Sequence, residues 1–261
     1  MMRRFPYDVV RVGNTGFSVR CFQLQDQDAD GVIVRLLPLV PFASVHYHNA
    51  LQRVLNNSPH IAHPCFALYH PNDNIETDLD IGRTLFARLQ RTRDTSSQTE
   101  PHGIQSALGL SGTARSVHLP LNANVEPADE RWWRQLESED TCWRLREAAN
   151  AEPREAYRIM AEAQFLKAAQ QLDMAEPHTV AEYLYHCMML HYTSPLLKTV
   201  VAEVTAYLAH RLERNRSSLT LCYSPLAFPG VISALTARGF SFKSTGPDLL
   251  AFDYSKLPAR S

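Results

Sequence analysis

The chain contains 261 residues, and its hydrophobic content of 45% is sufficient to bury a core. Its 26 basic and 27 acidic residues nearly cancel, which excludes a global electrostatic field that would draw the protein to nucleic acid or to an anionic membrane. Because the sequence has no uninterrupted apolar run of about 18 residues, we expect no membrane-spanning helix.

The start of the chain, MMRRFPYDVVRV, contains three arginines and one acid. This composition is similar to that of a mitochondrial presequence. The alternative interpretation is that these residues are the ordinary basic first segment of a cytoplasmic protein. The cysteines are widely spaced and form no Cys-x-x-Cys pair, so we expect buried, reduced thiols at all of them. They are Cys21, Cys65, Cys142, Cys187 and Cys222.

Two strands and two helices are predicted in residues 1–75. Residues 17–25, FSVRCFQLQ, alternate apolar and polar side chains as a half-buried strand does, and the acids that begin residues 26–40 favour a helix there. Residues 43–57 have the spacing of an amphipathic helix that ends before Pro59. Residues 64–73, PCFALYHPND, indicate a further strand closed by turn residues.

The middle of the chain, residues 76–178, is predicted to be a mostly helical insertion. Helices are expected over residues 79–93, 128–150 and 153–173, and residues 94–116 are rich enough in Ser, Thr and Gly to predict a mobile loop. Large aromatic side chains in such a helix are either core residues or anchors of a partner interface. In the helix over residues 128–150 these are Trp132, Trp133 and Trp143.

The C-terminal third has the most regular pattern. Its long helix begins at Ser194 and Pro195, which suit a helix start, and it ends in arginines, which suit a helix C-terminus. The predicted order is a strand over 181–190, this helix over 195–215, a strand over 218–223, a helix over 229–238 and a final hairpin of 240–242 with 249–254. The Met and Ala content of the first segment leaves a helix there as the alternative.

This order, together with the ending ALTARGF at residues 234–240, resembles the C-terminal half of the GCN5-related N-acetyltransferase (GNAT) fold. Residues 1–75 are similar to the N-terminal half of that fold. The resemblance implies an α/β protein with a GNAT-like mixed central sheet flanked by helices. Residues 1–75 and 179–261 would form this domain, and residues 76–178 would interrupt it.

The chemistry of the GNAT family depends on three local features, and this sequence departs from each. A glycine-rich loop normally holds the acetyl-CoA pyrophosphate, but the corresponding stretch here has no glycine and is followed by Pro195, which lacks a backbone donor. Phe228 stands where the family has an asparagine, and Leu235 stands where a tyrosine often protonates the leaving thiolate. The degenerate acyl-CoA loop is His191, Tyr192, Thr193 and Ser194.

The GNAT resemblance, together with the absence of these three features, predicts a function for the protein. We expect a non-catalytic GNAT-like subunit or adaptor of a larger protein or ribonucleoprotein assembly, with no cofactor and no catalytic residue, in mitochondria or otherwise in the cytoplasm. The alternative is a divergent N-acyltransferase that uses acetyl-CoA or another acyl-CoA. In that case Tyr223, on the strand before the last helix, is the candidate replacement acid.

Histidines and arginines offer two further hypotheses. On a helix, His46 and His48 would point about 200° apart, so we expect surface histidines and no metal site. The arginine-rich segments at residues 88–93 and 211–216 are either solvated helix ends or phosphate contacts to RNA. In the second segment the candidate phosphate contacts are Arg211, Arg214 and Arg216.

Overall fold

The computed structural model describes residues 9–12, 16–28, 31–40, 42–65, 67–71, 73, 110–136 and 194–253. In these residues the protein is a mixed α/β structure with a seven-stranded central sheet flanked by helices and a separate two-stranded sheet. The coarse fold class expected from the sequence is therefore confirmed. The helices predicted over residues 79–93 and 153–173 and the strand predicted over residues 181–190 lie outside the described residues.

The chain begins with three antiparallel strands, and the helix predicted over residues 26–40 is wrong. Asp26 instead ends a strand, its Oδ1 accepts a hydrogen bond from the backbone N–H of Asp28 at 3.0 Å, and the chain turns at Gly31, which has a positive φ of 91°. The apolar, β-branched residues after this turn favour a strand. The strands are β1 (Val10–Val12), β2 (Gly16–Asp26) and β3 (Ile33–Pro38).

The first helix is confirmed, but the strand that follows it lies earlier than predicted. Ser44 caps this helix, accepting a hydrogen bond from the backbone N–H of Tyr47. The strand after it lies between Pro59 and Pro64, and the described part of residues 64–73 contains only an isolated bridge from Tyr69 to His118. The elements are β4 (Phe42–Ala43), α1 (Val45–Asn56) and β5 (His60–His63).

Of the predicted mobile loop over residues 94–116, only residues 110–116 are described. The stretch over residues 110–116 forms a short strand, which pairs with β4, and one helical turn. Of the helix predicted over residues 128–150, the described part begins at Glu130, and the rest lies outside the described residues. The elements are β6 (Ser111–Gly112), α2 (Thr113–Ser116), β7 (Asn124–Pro127) and α3 (Glu130–Leu136).

The C-terminal elements agree with the prediction until the last one. The expected final hairpin is wrong, because residues 240–253 form one long strand that pairs with β2 along its whole length. Gly246 permits this close approach, since a Cβ there would lie 2.8 Å from Cβ of Cys21. The elements are α4 (Ser194–Arg214), β8 (Leu219–Tyr223), a 3-10 turn (Pro225–Ala227), α5 (Phe228–Thr236) and β9 (Phe240–Asp253).

The sheet order determines where functional side chains can meet. It runs β9-β2-β3-β8-β5-β7, with β1 beside β2, and the last four strands of this order are parallel. Alternate residues of β3 and β8 face α4 and α5 on one side of the sheet and α1 on the other. The carboxyl ends of the four parallel strands therefore share one edge, which is where open α/β sheets usually bind ligands.

Candidate functional site

The junction of β8 and α5 is where the GNAT resemblance would place groups that contact acyl-CoA. Ser224 caps the 3-10 turn by accepting a hydrogen bond from the backbone N–H of Leu226. Phe228, in the asparagine position, is 0% exposed and packs edge-on against Phe22 with ring centroids 6.3 Å apart. Leu235, in the tyrosine position, is 2% exposed. Both positions therefore belong to the hydrophobic core.

Helix α5 packs closely against α4 at this junction. A Cβ on Gly230 would lie 2.5 Å from Cγ1 of Val201, so only glycine permits this approach of the two helices. The inward face of α5 is completed by Val231, Ile232 and Leu235, which are all buried in the same cluster as α4. These side chains of α5 therefore contact protein atoms and not solvent.

The degenerate acyl-CoA loop is only partly described. Ser194 is the first residue of α4, as the sequence predicted. His191, Tyr192 and Thr193 lie outside the described residues.

A buried carboxylate, Asp129, lies at the carboxyl edge of the parallel strands. Its side chain is almost completely enclosed, and it accepts hydrogen bonds from the backbone N–H of Cys65 at 2.7 Å and from the Tyr223 hydroxyl at 2.5 Å. Burial raises the pKa of Asp129, and the hydrogen bonds from Cys65, Tyr223 and Trp133 oppose that rise. This carboxylate joins the loop after β5, the end of β8 and the start of α3.

The chemistry available at this edge is limited by the same contacts. Tyr223 is fully buried and its proton is directed to Asp129, so it does not face an open site where it could protonate a leaving group. Burial and the neighbouring Asp129 raise the pKa of the Cys65 thiol, which disfavours the nucleophilic thiolate. Asp129 is not among the site residues predicted from the sequence, although an aspartate at the start of a predicted helix, here residues 128–150, is a typical capping signal.

Two of the predicted interface tryptophans lie in the core. Trp132 and Trp133 are 3% and 6% exposed, and their rings meet edge-on with centroids 4.8 Å apart. This is the core placement that the sequence left open as one of two alternatives. Trp143 lies outside the described residues.

The three candidate phosphate contacts have different surroundings. Arg211 is buried: its Nε lies 3.5 Å from Oε1 of Glu126, and its terminal nitrogens donate to the carbonyl of Asn215 and the hydroxyl of Ser217. Because these donors are already directed to protein oxygens, Arg211 is less suited to a phosphate contact than an exposed arginine. Arg214 and Arg216 are exposed at the end of α4.

Among the histidines, the prediction of surface positions is only partly right. His46 is exposed, but His48 and His63 are buried, because one side of α1 and the last three residues of β5 face the core. Burial lowers the pKa of both buried imidazoles to about 4. Within the described ranges, no group of three His, Cys, Asp or Glu side chains is arranged to hold a metal ion.

The cysteine prediction is confirmed at two positions. Cys21 and Cys222 are buried free thiols, and burial raises the pKa of Cys21 to about 12. Cys65 is a free thiol that is half-buried. Cys142 and Cys187 lie outside the described residues.

Comparison with protein-family models, with curated proteins and with solved structures gives no match for this chain. No helix in the described part of the chain is long and apolar enough to cross a membrane.

Proposed function

We propose that this protein is a GNAT-like subunit or adaptor of a larger assembly that does not catalyse acyl transfer from acyl-CoA. The observation that carries the proposal is the burial of Phe228 and Leu235 in the core, at the two positions where the resemblance would place cofactor and proton-transfer groups. Phenylalanine has no amide to hydrogen-bond a cofactor, and leucine has no proton to donate.

The part of the resemblance that supports this proposal is residues 194–236. There a long helix, a strand parallel to its neighbours and a short helix follow one another in the order expected from the sequence. Residues 26–40 and 240–253 depart from the expected order, so they give the resemblance no support. The proposal therefore depends on the C-terminal helix–strand–helix segment and on the burial of Phe228 and Leu235 in its core.

The alternative function, a divergent N-acyltransferase that uses acetyl-CoA or another acyl-CoA, would need a replacement acid. Tyr223 is the only candidate that the sequence offered, and its hydroxyl is buried and hydrogen-bonded to Asp129. A catalytic proton donor must reach the leaving group directly or through a water molecule. This placement favours the adaptor over the transferase.

Exposed arginines at and just after the end of α4 support the proposal that the assembly contains RNA. Arg214 and Arg216 reach solvent while Arg211 anchors the same turn to Glu126. Exposed guanidinium groups at and just after the end of a helix are suited to phosphate contacts. We place this assembly in mitochondria, on the basis of the arginine-rich start of the sequence.

Gel filtration of the protein at its native level, in extracts of the cells that produce it, tests the adaptor proposal. We expect elution well above the mass of a single chain and, if RNA is part of the assembly, a shift to smaller size after ribonuclease treatment. Replacing Arg214 and Arg216 with glutamate should reduce crosslinking to RNA, whereas the matched Lys243→Glu change on β9 should not. Elution as a single chain before ribonuclease treatment would rule out a stable assembly.

A further inference from the structure

The buried imidazole of His48 lies between two hydroxyl groups. Its Nε2 is 3.1 Å from Oγ1 of Thr113, and its Nδ1 is 3.3 Å from Oγ of Ser111. The imidazole and Thr113 are buried, whereas Ser111 is exposed. The three side chains therefore lead from the interior to the surface, with a serine at the outer end.

The hydrogen bonds determine which imidazole nitrogen carries the proton. The Thr113 hydroxyl donates its single proton to the carbonyl oxygen of Val40, at 2.6 Å, because a carbonyl can only accept. Oγ1 of Thr113 must then accept from Nε2–H of His48. Burial keeps the imidazole neutral at pH 7, so Nδ1 presents a lone pair to Ser111.

The backbone around Ser111 is held by its neighbours. Ser111 pairs with Ala43 in the short β4–β6 ladder, and α2 begins two residues later. Its hydroxyl also lies 3.0 Å from Oγ of Ser116, which itself donates to the carbonyl of Gly112. The Ser111 proton thus has two acceptors, Nδ1 of His48 and Oγ of Ser116.

We propose that Ser111 is an activated nucleophile that reacts with carboxylic esters, with His48 as its general base and Thr113 as a positioning residue. A serine within reach of a base that is itself oriented by a third group is the arrangement that nucleophilic catalysis requires. Thr113 replaces the carboxylate of better-known triads, so it fixes the tautomer without adding a negative charge. A serine hydroxyl attacks carbonyl carbon, and we choose carboxylic esters as the substrate class because their leaving groups depart more readily than those of amides.

The reaction balances with water as the only co-reactant. Ser111 Oγ forms a bond to the ester carbonyl carbon while its proton moves to Nδ1 of His48. The bond from that carbon to the ester oxygen then breaks, and the leaving alkoxide takes the proton from Nδ1. Water attacks the resulting acyl-serine, its proton passes through Nδ1 to Oγ of Ser111, and the carboxylic acid is released.

This inference goes beyond the proposed function and does not depend on it. Ser111 and His48 lie on the α1 side of the sheet, whereas Phe228 and Leu235 lie on the α4 and α5 side. Ester hydrolysis on the α1 side does not require acyl-CoA chemistry on the α4 and α5 side. An experiment can therefore contradict one proposal without contradicting the other.

An alkyl fluorophosphonate, which phosphonylates an activated serine with loss of fluoride, tests the inference on the full-length native chain. Intact-mass measurement and peptide mapping should find one adduct, located on Ser111. Ser111→Ala should abolish the adduct, and because this residue is exposed the variant should remain folded. The Ser233→Ala variant, which removes an exposed serine of α5 far from this cluster, should keep it. Absence of labelling on the folded native chain, or labelling that survives Ser111→Ala, would overturn the proposal.

The roles of His48 and Thr113 are tested by the rate of the same labelling. Removing a general base typically slows such a reaction by about 100-fold or more, so we expect His48→Gln to lower the labelling rate by at least that factor. Thr113→Val should also slow labelling, and Thr113→Ser, which keeps the hydroxyl, should restore it. Circular dichroism of each variant separates a slower reaction from a lost fold. Equal rates in folded native and His48→Gln proteins would contradict the base assignment.

Discussion

The hydroxyl of Tyr223 lies 2.5 Å from Oδ2 of Asp129, and both side chains are buried. Tyr223 ends β8, and Asp129 immediately precedes α3, 94 residues earlier in the sequence. This contact therefore ties the centre of the sheet to the start of the Trp-bearing helix. It also fixes the tyrosine that could have served as a proton donor in an acyltransferase.

Removing the Tyr223 hydroxyl should reduce stability. Tyr223→Phe leaves Asp129 without one of its donors, and a buried unsatisfied group costs about 1–3 kcal/mol. Urea denaturation should show this loss of unfolding free energy. Tyr207→Phe is the matched control, because the Tyr207 hydroxyl donates to the partly exposed Glu126 and should cost less. A double-mutant cycle with Asp129→Asn should give a coupling energy above zero, and additivity would show that the contact contributes nothing.

Replacing Leu235 tests whether the former tyrosine position is part of the core. Leu235→Ala removes a buried side chain from α5 and should lower the unfolding free energy by roughly 2–5 kcal/mol. Ser233→Ala, on the exposed face of the same helix, should change it by less than about 0.5 kcal/mol. An unchanged denaturation midpoint for Leu235→Ala would place this side chain outside the core.

The buried His48 should make the protein less stable in acid. Burial lowers its folded pKa to about 4 from the ordinary value of 6.5, so below pH 6.5 the unfolded chain binds a proton that the folded chain does not. This contribution to stability is complete above pH 6.5 and declines as the pH falls to about 4, with a loss of about 3 kcal/mol. His63, which shifts in the same direction, adds to the total.

The His48 contribution can be separated from those of other groups by comparing variants. The stability advantage of the native protein over His48→Gln should shrink as the pH is lowered from 7 to 4.5 in urea titrations. For Asn49→Gln, an exposed position next to His48 on the same helix whose side chain does not titrate, the difference should stay constant. A constant difference for both variants would show that His48 titrates normally.

The two described tryptophans should behave as core residues. Each is enclosed among apolar side chains, and replacing a buried tryptophan with alanine typically costs about 3–5 kcal/mol. Trp132→Ala and Trp133→Ala should therefore each lower the thermal midpoint strongly, while Arg131→Ala, on the exposed side of α3, should not. Partner loss from a fully stable double variant would instead support an interface role.

Local sequence signals predicted the elements in which they agreed with one another. In α1 and α4 the apolar spacing, the capping serines and the terminal arginines all favour a helix, and both helices lie where expected. The acids of residues 26–30 gave a misleading signal, because acids suit turns as well as helix starts. The β-branched Val32, Ile33 and Val34 that follow were the stronger signal.

The errors at the end of the chain and at the site have long-range causes. Gly246 and Pro247 resemble a hairpin turn, but pairing with β2, which is more than 200 residues away in sequence, keeps the strand continuous through them. The contacts of Asp129 with Cys65 and Tyr223 likewise join segments 64 and 94 residues apart. No local pattern reports such pairs, so the carboxyl-edge cluster and the Ser111–His48 contact became visible only in the folded structure.

Calorimetric titration with acetyl-CoA tests most directly whether Phe228 and Leu235 have replaced an acyl-CoA site. With core side chains at both positions, we expect a dissociation constant of about 1 mM or weaker and no acetyl transfer to an amine, even in the Leu235→Tyr variant. A dissociation constant near 1 μM, about 4 kcal/mol tighter, would contradict the adaptor proposal and support a divergent N-acyltransferase.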